Sequence, residues 1–221
     1  MKNHQNKYLF TENLKLNECE LKHVDKIKFL GVILDQSLSW NDQTNEICRK
    51  MRSNIGYLFK LRNYVTKKAL IDLYFAFINC HLSYCTLAWG VAGKVHLNKI
   101  FLLQKRILRM IFFKHNRYHT ISLFQEANGL DIFKLYKLKL ALHAHSLFYN
   151  NRERPPIIKK YPTRYNVSLD LPVERMFSAS GSKALPHQAA LIWNELPKDL
   201  RGISSVINFK RRVKMQLINQ C

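Results

Sequence analysis

The sequence predicts a mainly α protein, a helical bundle preceded by a small N-terminal β hairpin. Three observations carry that reading. Only seven glycines and six prolines occur in 221 residues, too few for a turn-rich all-β chain. Between Thr44 and Tyr149, apolar residues recur at helical spacing in successive segments. One β-branched and aromatic run, Ile27 to Leu34, stands ahead of them. The 47% hydrophobic content is enough to bury a real core and excludes disorder as the global state.

The elements follow in order. Lys7-Tyr-Leu-Phe-Thr is β-like, and the run from Ile27 to Leu34 makes one or two strands with Asp35-Gln-Ser as the turn behind it. From Trp40 the period changes. Thr44 is a candidate N-cap for a helix with Ile47, Met51, Ile55 and Leu58 on one stripe and Arg49, Lys50, Arg52 and Lys60 elsewhere. Thr66 caps the next helix, Ala69 to about Leu87, whose apolar residues surround the axis and place it at the centre of the bundle. A third helix runs from about His96 to Phe113 on Ile100, Leu103, Ile107 and Ile111. Thr120 or Ser122 opens a short helix that Gly129 ends, and Asp131 caps a longer one carrying Leu135, Leu138, Leu142 and Tyr149. Residues 151–172 are basic, proline-containing and aperiodic, a linker or surface arm. An apolar helix from Ala189 to Leu196 with Trp193, the break at Pro197, and a final helix on Val206, Phe209, Val213 and Leu217 complete the chain.

Charge limits the function. Lys and Arg number 36 against 15 Asp and Glu, a net +21, and the excess is even: 18 against 8 up to residue 110 and 18 against 7 beyond it. Such a field attracts a polyanion, nucleic acid first. Five dispersed cysteines do not form a secretory disulfide framework, and the polar N-terminus lacks a signal-peptide core. The expected location is the nucleus or cytoplasm, not outside the cell. Leu73 to Gly93 carries no Asp, Glu, Lys or Arg, but Asn79, His81, Ser83 and Thr86 favour a buried helix over a membrane span.

Enzymatic signatures are sparse. A two-metal phosphoryl-transfer site needs clustered carboxylates, and no Asp-Asp or Asp-x-Asp occurs; Asp35 and Asp42, the nearest candidates, sit in turn contexts. Cys80, His81, Cys85 and His96 are zinc-type ligands at spacings that do not share a helix face. The seven glycines form no phosphate loop, and no serine-hydrolase elbow is present. What remains is positive charge beside aromatics. Lys99, Lys105, Arg106, Arg109, Lys114 and Arg117, with Phe112, Phe113 and Tyr118, make the densest cluster, suited to phosphates and unpaired bases.

One segment is specific. Lys28-Phe-Leu-Gly-Val-Ile-Leu-Asp-Gln-Ser-Leu-Ser-Trp40 resembles the K-[FY]-L-G-V-x-[LI]-D-x-x-L-x-W segment in reverse transcriptases of non-LTR, jockey-like retrotransposons. Further blocks keep the family's order. They are Ile47 to Leu61, Leu70-x-x-Leu-Tyr-x-x-x-Ile, Leu82-x-Tyr-Cys-x-x-x-Trp-Gly and Leu103-Gln-Lys-Arg-Ile-Leu-Arg-Met-Ile. Thr163-Arg, Gly181-x-Lys-x-Leu, Leu191-Ile-Trp-Asn-x-Leu-Pro and Phe209-Lys follow, so the likeness spans about residues 24 to 217.

The resemblance implies an organisation and a site. Residues 1–40 would be a palm remnant with a primer-grip-like hairpin, 41–150 a thumb-like helical bundle, 151–172 a basic linker and 173–221 a C-terminal helical region. Lys28, Phe29, Leu30 and Gly31 would occupy the hairpin, with Gly31 letting a nucleic-acid backbone approach closely. Lys99, Lys105, Arg106 and Arg109 would contact nucleic acid from the thumb. The family's catalytic [FY]-x-D-D motif, which would hold magnesium, precedes the hairpin by tens of residues, and this sequence has no Asp-Asp there. The expectation is a part of an RNA-directed DNA polymerase, with no cofactor and no catalysis of its own. It would bind RNA, DNA or their hybrid, or join a separately supplied polymerase portion. The alternatives are an inert translated remnant of a truncated element and the C-terminal piece of a split reverse-transcriptase gene.

Overall fold

The computed structural model describes residues 15–16, 19–20, 24–150, 170–173 and 175–219. The expectations for Lys7 to Thr11, for the basic stretch up to residue 169, including Thr163-Arg164, and for Cys221 lie outside the described residues. Strands β1 (Lys15–Leu16) and β2 (Cys19–Glu20) pair antiparallel, as do β3 (Lys26–Phe29) and β4 (Val32–Asp35). The run after Val24 is therefore two strands. Leu30 (φ 46°) and Gly31 (φ 80°) turn between them, both left-handed, the geometry that matches the right-handed twist of a two-residue hairpin. Glycine serves this turn by its dihedral freedom.

Behind β4, Asp35 organises the descent into helix. Its carboxylate accepts hydrogen bonds from Ser37 Oγ (2.7 Å), Ser39 N (2.9 Å) and Trp40 N (3.0 Å). Helix α1 (Asn41–Leu61) starts earlier than the Thr44 cap predicts. Trp40, itself left-handed, is the cap, and the buried Thr44 hydroxyl donates back to Asn41 O (2.9 Å). Thr66 does cap α2 (Lys67–Tyr74), its side chain accepting from Ala69 N.

The expected single helix from Ala69 to Leu87 is instead broken. After α2 come a π-helical turn (Phe75–Asn79), α3 (Cys80–Ser83) and α4 (Thr86–Trp89). Leu70, Tyr74, Ile78, Leu82 and Thr86 are buried at four-residue intervals, and a strict period of four drifts off an α-helical face unless the helix is locally widened. Extended Tyr84 and left-handed Cys85 then break the helix, while Thr86 Oγ1 donates to Leu82 O. The arm is not buried on every side, since Phe77 and Tyr84 are exposed.

Helix α5 (Lys94–Ile111) buries Leu97, Ile100, Gln104, Ile107, Leu108 and Ile111. Short α6 (Ile121–Glu126) ends through left-handed Asn128, so the special conformation falls one residue before Gly129. Asp131 Oδ1 accepts from Lys134 N (2.9 Å) and caps α7 (Ile132–Asn150) as predicted. After α8 (Ala179–Ser182) come α9 (Leu185–Glu195), α10 (Lys198–Arg201) and α11 (Val206–Asn219). Helices α9 and α11 both pack on α7. His145, Phe148, Trp193 and Phe209 interlock there, with Trp193 and Phe209 fully buried, each worth about 1.5 to 3 kcal/mol in removed apolar surface. Asn194 exchanges two hydrogen bonds with the backbone of Leu171 (2.8 and 2.9 Å), tying the incoming chain to α9. Among the described residues no helix is long and apolar enough to cross a membrane.

Candidate nucleic-acid interface

Helices α1 and α5 lie side by side and run in the same direction. Near their starts Lys99 Nζ donates to Asn45 Oδ1 (3.3 Å), and at their ends the Arg62 guanidinium lies 5.2 Å from the Phe113 ring centre. Their apolar stripes meet, which leaves the flanking positions to form the walls of a cleft. Its volume is about 540 Å³, and Arg52, Arg62, Arg106, Arg109 and Lys114 all line it. Among the described residues no carboxylate does. Five cations around one concavity repel each other, and an anion between them removes that cost.

The cleft also carries aromatic surface. The Arg62 guanidinium lies over Phe59 (4.7 Å) as well as Phe113, while each ring stays 57% exposed. Arg62 Nε is buried without a hydrogen-bond partner, an unusual condition for a charged donor. Arg109 is oriented by its Nε, which donates to Tyr118 O (2.9 Å). Phe113 turns left-handed (φ 54°) just past the end of α5 and meets Arg62 there without lining the cleft itself.

The residues singled out by sequence divide among several places. Arg106 and Arg109 stand in the cleft. Lys105 points to another face of α5, 4.2 Å above the Phe101 ring, and lines a second concavity of about 420 Å³ with Arg117, His119 and Lys134; Arg109 borders both. Lys99 lies toward the start of the α1–α5 seam. It and Arg52 act on the same buried thiol, Cys48, which burial pushes up and these two cations draw down. Lys28, Phe29, Leu30 and Gly31 sit on the hairpin and do not line the cleft. There Lys28 is near enough to Glu46 to help hold that carboxyl low, after the Arg49 hydrogen bond that does most of it. The hairpin tip is instead fixed by Tyr84, whose hydroxyl donates to Leu30 O (2.5 Å), while Trp89 Nε1 donates to Tyr84 O (2.8 Å). A Cβ on Gly31 would meet only the Tyr84 ring, at 3.8 Å.

Sequence reasoning missed Arg52 and Arg62 as partners of Arg106 and Arg109. Their i, i+10 separation on α1 gives no local cluster, and only the parallel pairing with α5 brings them together.

Carboxylates are engaged one by one. Burial works to raise the Asp35 carboxyl, but the hydrogen bonds from Ser37, Ser39 and Trp40 outweigh it and hold the group well below the usual carboxylate range. Asp42 pairs with Lys26 (3.5 Å), Glu46 with Arg49 (2.7 Å), Glu126 with Lys67 and Asp170 with Arg201. The one acidic pair at two-residue spacing, Glu18-Cys19-Glu20, has side chains outside the described residues. Among the described residues no three His, Cys, Asp or Glu side chains gather as metal ligands.

Three known proteins resemble the chain. It is 32% identical over 99 residues to the RNA-directed DNA polymerase from mobile element jockey of Drosophila funebris, covering 43% of this chain and 11% of that one. The jockey polymerase of Drosophila melanogaster is 30% identical over 101 residues, 44% of this chain and 11% of the relative. The probable RNA-directed DNA polymerase from transposon X-element of the same species is 23% identical over 154 residues, 64% and 17%. The match thus spans well under a fifth of each curated relative's length. No protein-family model matches the chain, and no solved structure does.

Proposed function

We propose that this chain, a relative of the RNA-directed DNA polymerases of non-LTR retrotransposons, serves as a nucleic-acid-holding portion of such an enzyme and performs no polymerisation by itself. The observation that carries the proposal is the convergence of Arg52, Arg62, Arg106, Arg109 and Lys114 on one cleft that no carboxylate among the described residues lines. Guanidinium and ammonium groups there would hold backbone phosphates, which position a strand without reading its sequence. Lys99 would extend the positive track toward the start of α5, and Lys105 would meet the strand on the adjoining face. In this reading the hairpin residues Lys28, Phe29, Leu30 and Gly31 are a second contact, held in place by Tyr84.

The test is affinity against salt. If all five cations engage phosphates, log affinity should fall with log salt at a slope of about −4.5 for duplex DNA and about −3.5 for single strands. A flat response would end the binding reading. Primer extension by the purified chain with deoxynucleotides and magnesium would end the claim that it is not itself an enzyme. The exposed apolar residues Ile27, Phe29 and Leu30 favour a second reading, in which this face joins a polymerase portion supplied separately. That reading expects co-purification with a coexpressed polymerase palm, lost on changing Phe29 and Leu30 to serine.

A further inference from the structure

The α1–α5 cleft is shaped for more than phosphate. A track for a duplex needs cations only, because the bases are stacked inside the helix and the outside offers phosphate and sugar. Here the Phe59 ring borders the same concavity as the arginines, and Phe113, outside its lining, lies against Arg62; each residue is more than half exposed although water disfavours that. Between them Arg62 keeps a buried Nε without an acceptor. The cleft volume of about 540 Å³ falls in the range of sites that enclose a small organic ligand, roughly 300 to 1,000 Å³. Cations, open aromatic faces and an unsatisfied charged donor together match one chemical unit, a phosphate with an unpaired base attached.

We infer that the cleft captures an unpaired nucleotide, so that the chain prefers single-stranded nucleic acid or a frayed strand end to a blunt duplex. The inference rests on the nucleic-acid reading above and deepens it. Phe59 and Phe113 each turn part of their surface to Arg62 and leave the rest for a base to stack on. Arg106, Arg109 and Lys114 neutralise the attached phosphate, and Arg62 Nε gains an acceptor oxygen. The tip of α5 contributes through Phe113, which lies beside the cleft against Arg62.

The experiment is fluorescence anisotropy on the full chain with three probes at one salt concentration. They are a short oligothymidine strand, a blunt duplex of equal length, and an abasic strand that keeps every phosphate. The single strand should bind tighter than both others. Phe59→Leu and Phe113→Leu keep apolar bulk but remove the stacking face. Each should weaken the oligothymidine complex about 5- to 150-fold and the duplex complex far less. Arg106→Gln with Arg109→Gln should weaken all three. Equal binding of abasic and intact strands by the unaltered chain overturns the inference without needing any variant, as does an equal loss on strand and duplex from the Phe variants. Salt-sensitive binding of the duplex alone would overturn the inference and leave the broader reading standing. No binding of any probe would defeat both.

Discussion

Replacing Gln104 with leucine tests how the bundle beneath the cleft is held. Gln104 is fully buried on α5, and its amide serves three elements at once. Nε2 donates to Tyr74 Oη (3.1 Å) on α2 and to Leu130 O (3.2 Å), and Oε1 accepts from Ile132 N (2.9 Å), an N–H in the first turn of α7. Leucine keeps the volume and orphans those three groups in a site without water access. At about 1 to 3 kcal/mol for each unsatisfied buried group, less about 1 kcal/mol regained by apolar burial, the loss should be about 2 to 8 kcal/mol. That is a large share of the roughly 5 to 15 kcal/mol holding an ordinary domain. Urea denaturation followed by circular dichroism should show the midpoint fall with an unchanged m value. Tyr74→Phe removes only one partner, and the double variant should lose less than the sum of the two singles because they share a bond. A loss under about 1 kcal/mol for Gln104→Leu, or strict additivity in the cycle, would refute the idea that this amide ties α2, α5 and α7 together.

Other perturbations have equally definite outcomes. A Cβ on Gly90 would stand 2.4 Å from the Tyr136 ring and 2.5 Å from Thr86 O, so Gly90→Ala should cost about 1 to 3 kcal/mol in chemical denaturation, and a neutral result would mean the α4–α7 approach is looser than described. Asp35, whose folded carboxyl titrates below its unfolded value of about 3.9, contributes stability that is complete above that pH and is lost as pH falls below it. Asp35→Ala should therefore lower stability at neutral pH by about 1 to 2 kcal/mol and flatten the acid limb of the stability curve. Burial pushes the Tyr74 phenol up to about 12, so folded protein holds a proton that unfolded chain releases above about 10. Stability should decline as pH rises through that window, less steeply in Tyr74→Phe. Arg52→Gln should reduce the salt slope for duplex DNA by about 0.9, as loss of one phosphate contact requires.

The helices were legible wherever one stripe of apolar residues sufficed to bury them. Ile47, Met51, Ile55 and Leu58 marked α1, and Phe209, Val213 and Leu217 marked α11, because their burial follows the α-helical period. Thr66 and Asp131 were readable as caps because a side-chain oxygen three residues before a free N–H is a local relation. The central arm was misread for the opposite reason. Its burial at every fourth residue needs a π turn and then a break at Cys85, and what stabilises the break is distant: Tyr84 O receives Trp89 Nε1, and Tyr84 Oη reaches the hairpin. Thr44 resembled a cap but is buried mid-turn, since Trp40 takes the left-handed position that Asp35 prepares. Of the site, charge density marked α5, whereas the contribution of α1 depended on a parallel helix pairing that no periodicity reveals.

The residues that carry the family likeness and those that line the cleft overlap only in part, and the structure explains the division. Asp35 holds the turn before α1, Tyr84 pins the hairpin, and Gly90 admits Tyr136. Gln104 ties three elements together, and Trp193 with Asn194 locks α9 to α7 and to Leu171. Each of these makes contacts that a substitution cannot replace locally, so such residues define an architecture whatever strand it carries. Arg52 and Arg62 carry no such obligation to the core. Their geometry needs only a cationic side chain on the correct face of α1, and a charge displaced by one turn would still reach a flexible phosphate backbone. Arg52, Arg106 and Arg109 belong to both sets: they lie within blocks that resemble the family and face the cleft. Exchanging cations along α1 should therefore shift affinity in small, salt-dependent steps while the fold stays intact. Altering Gly90 or Gln104 should instead lower the stability of the bundle beneath the cleft, where each makes its packing or hydrogen-bond contacts.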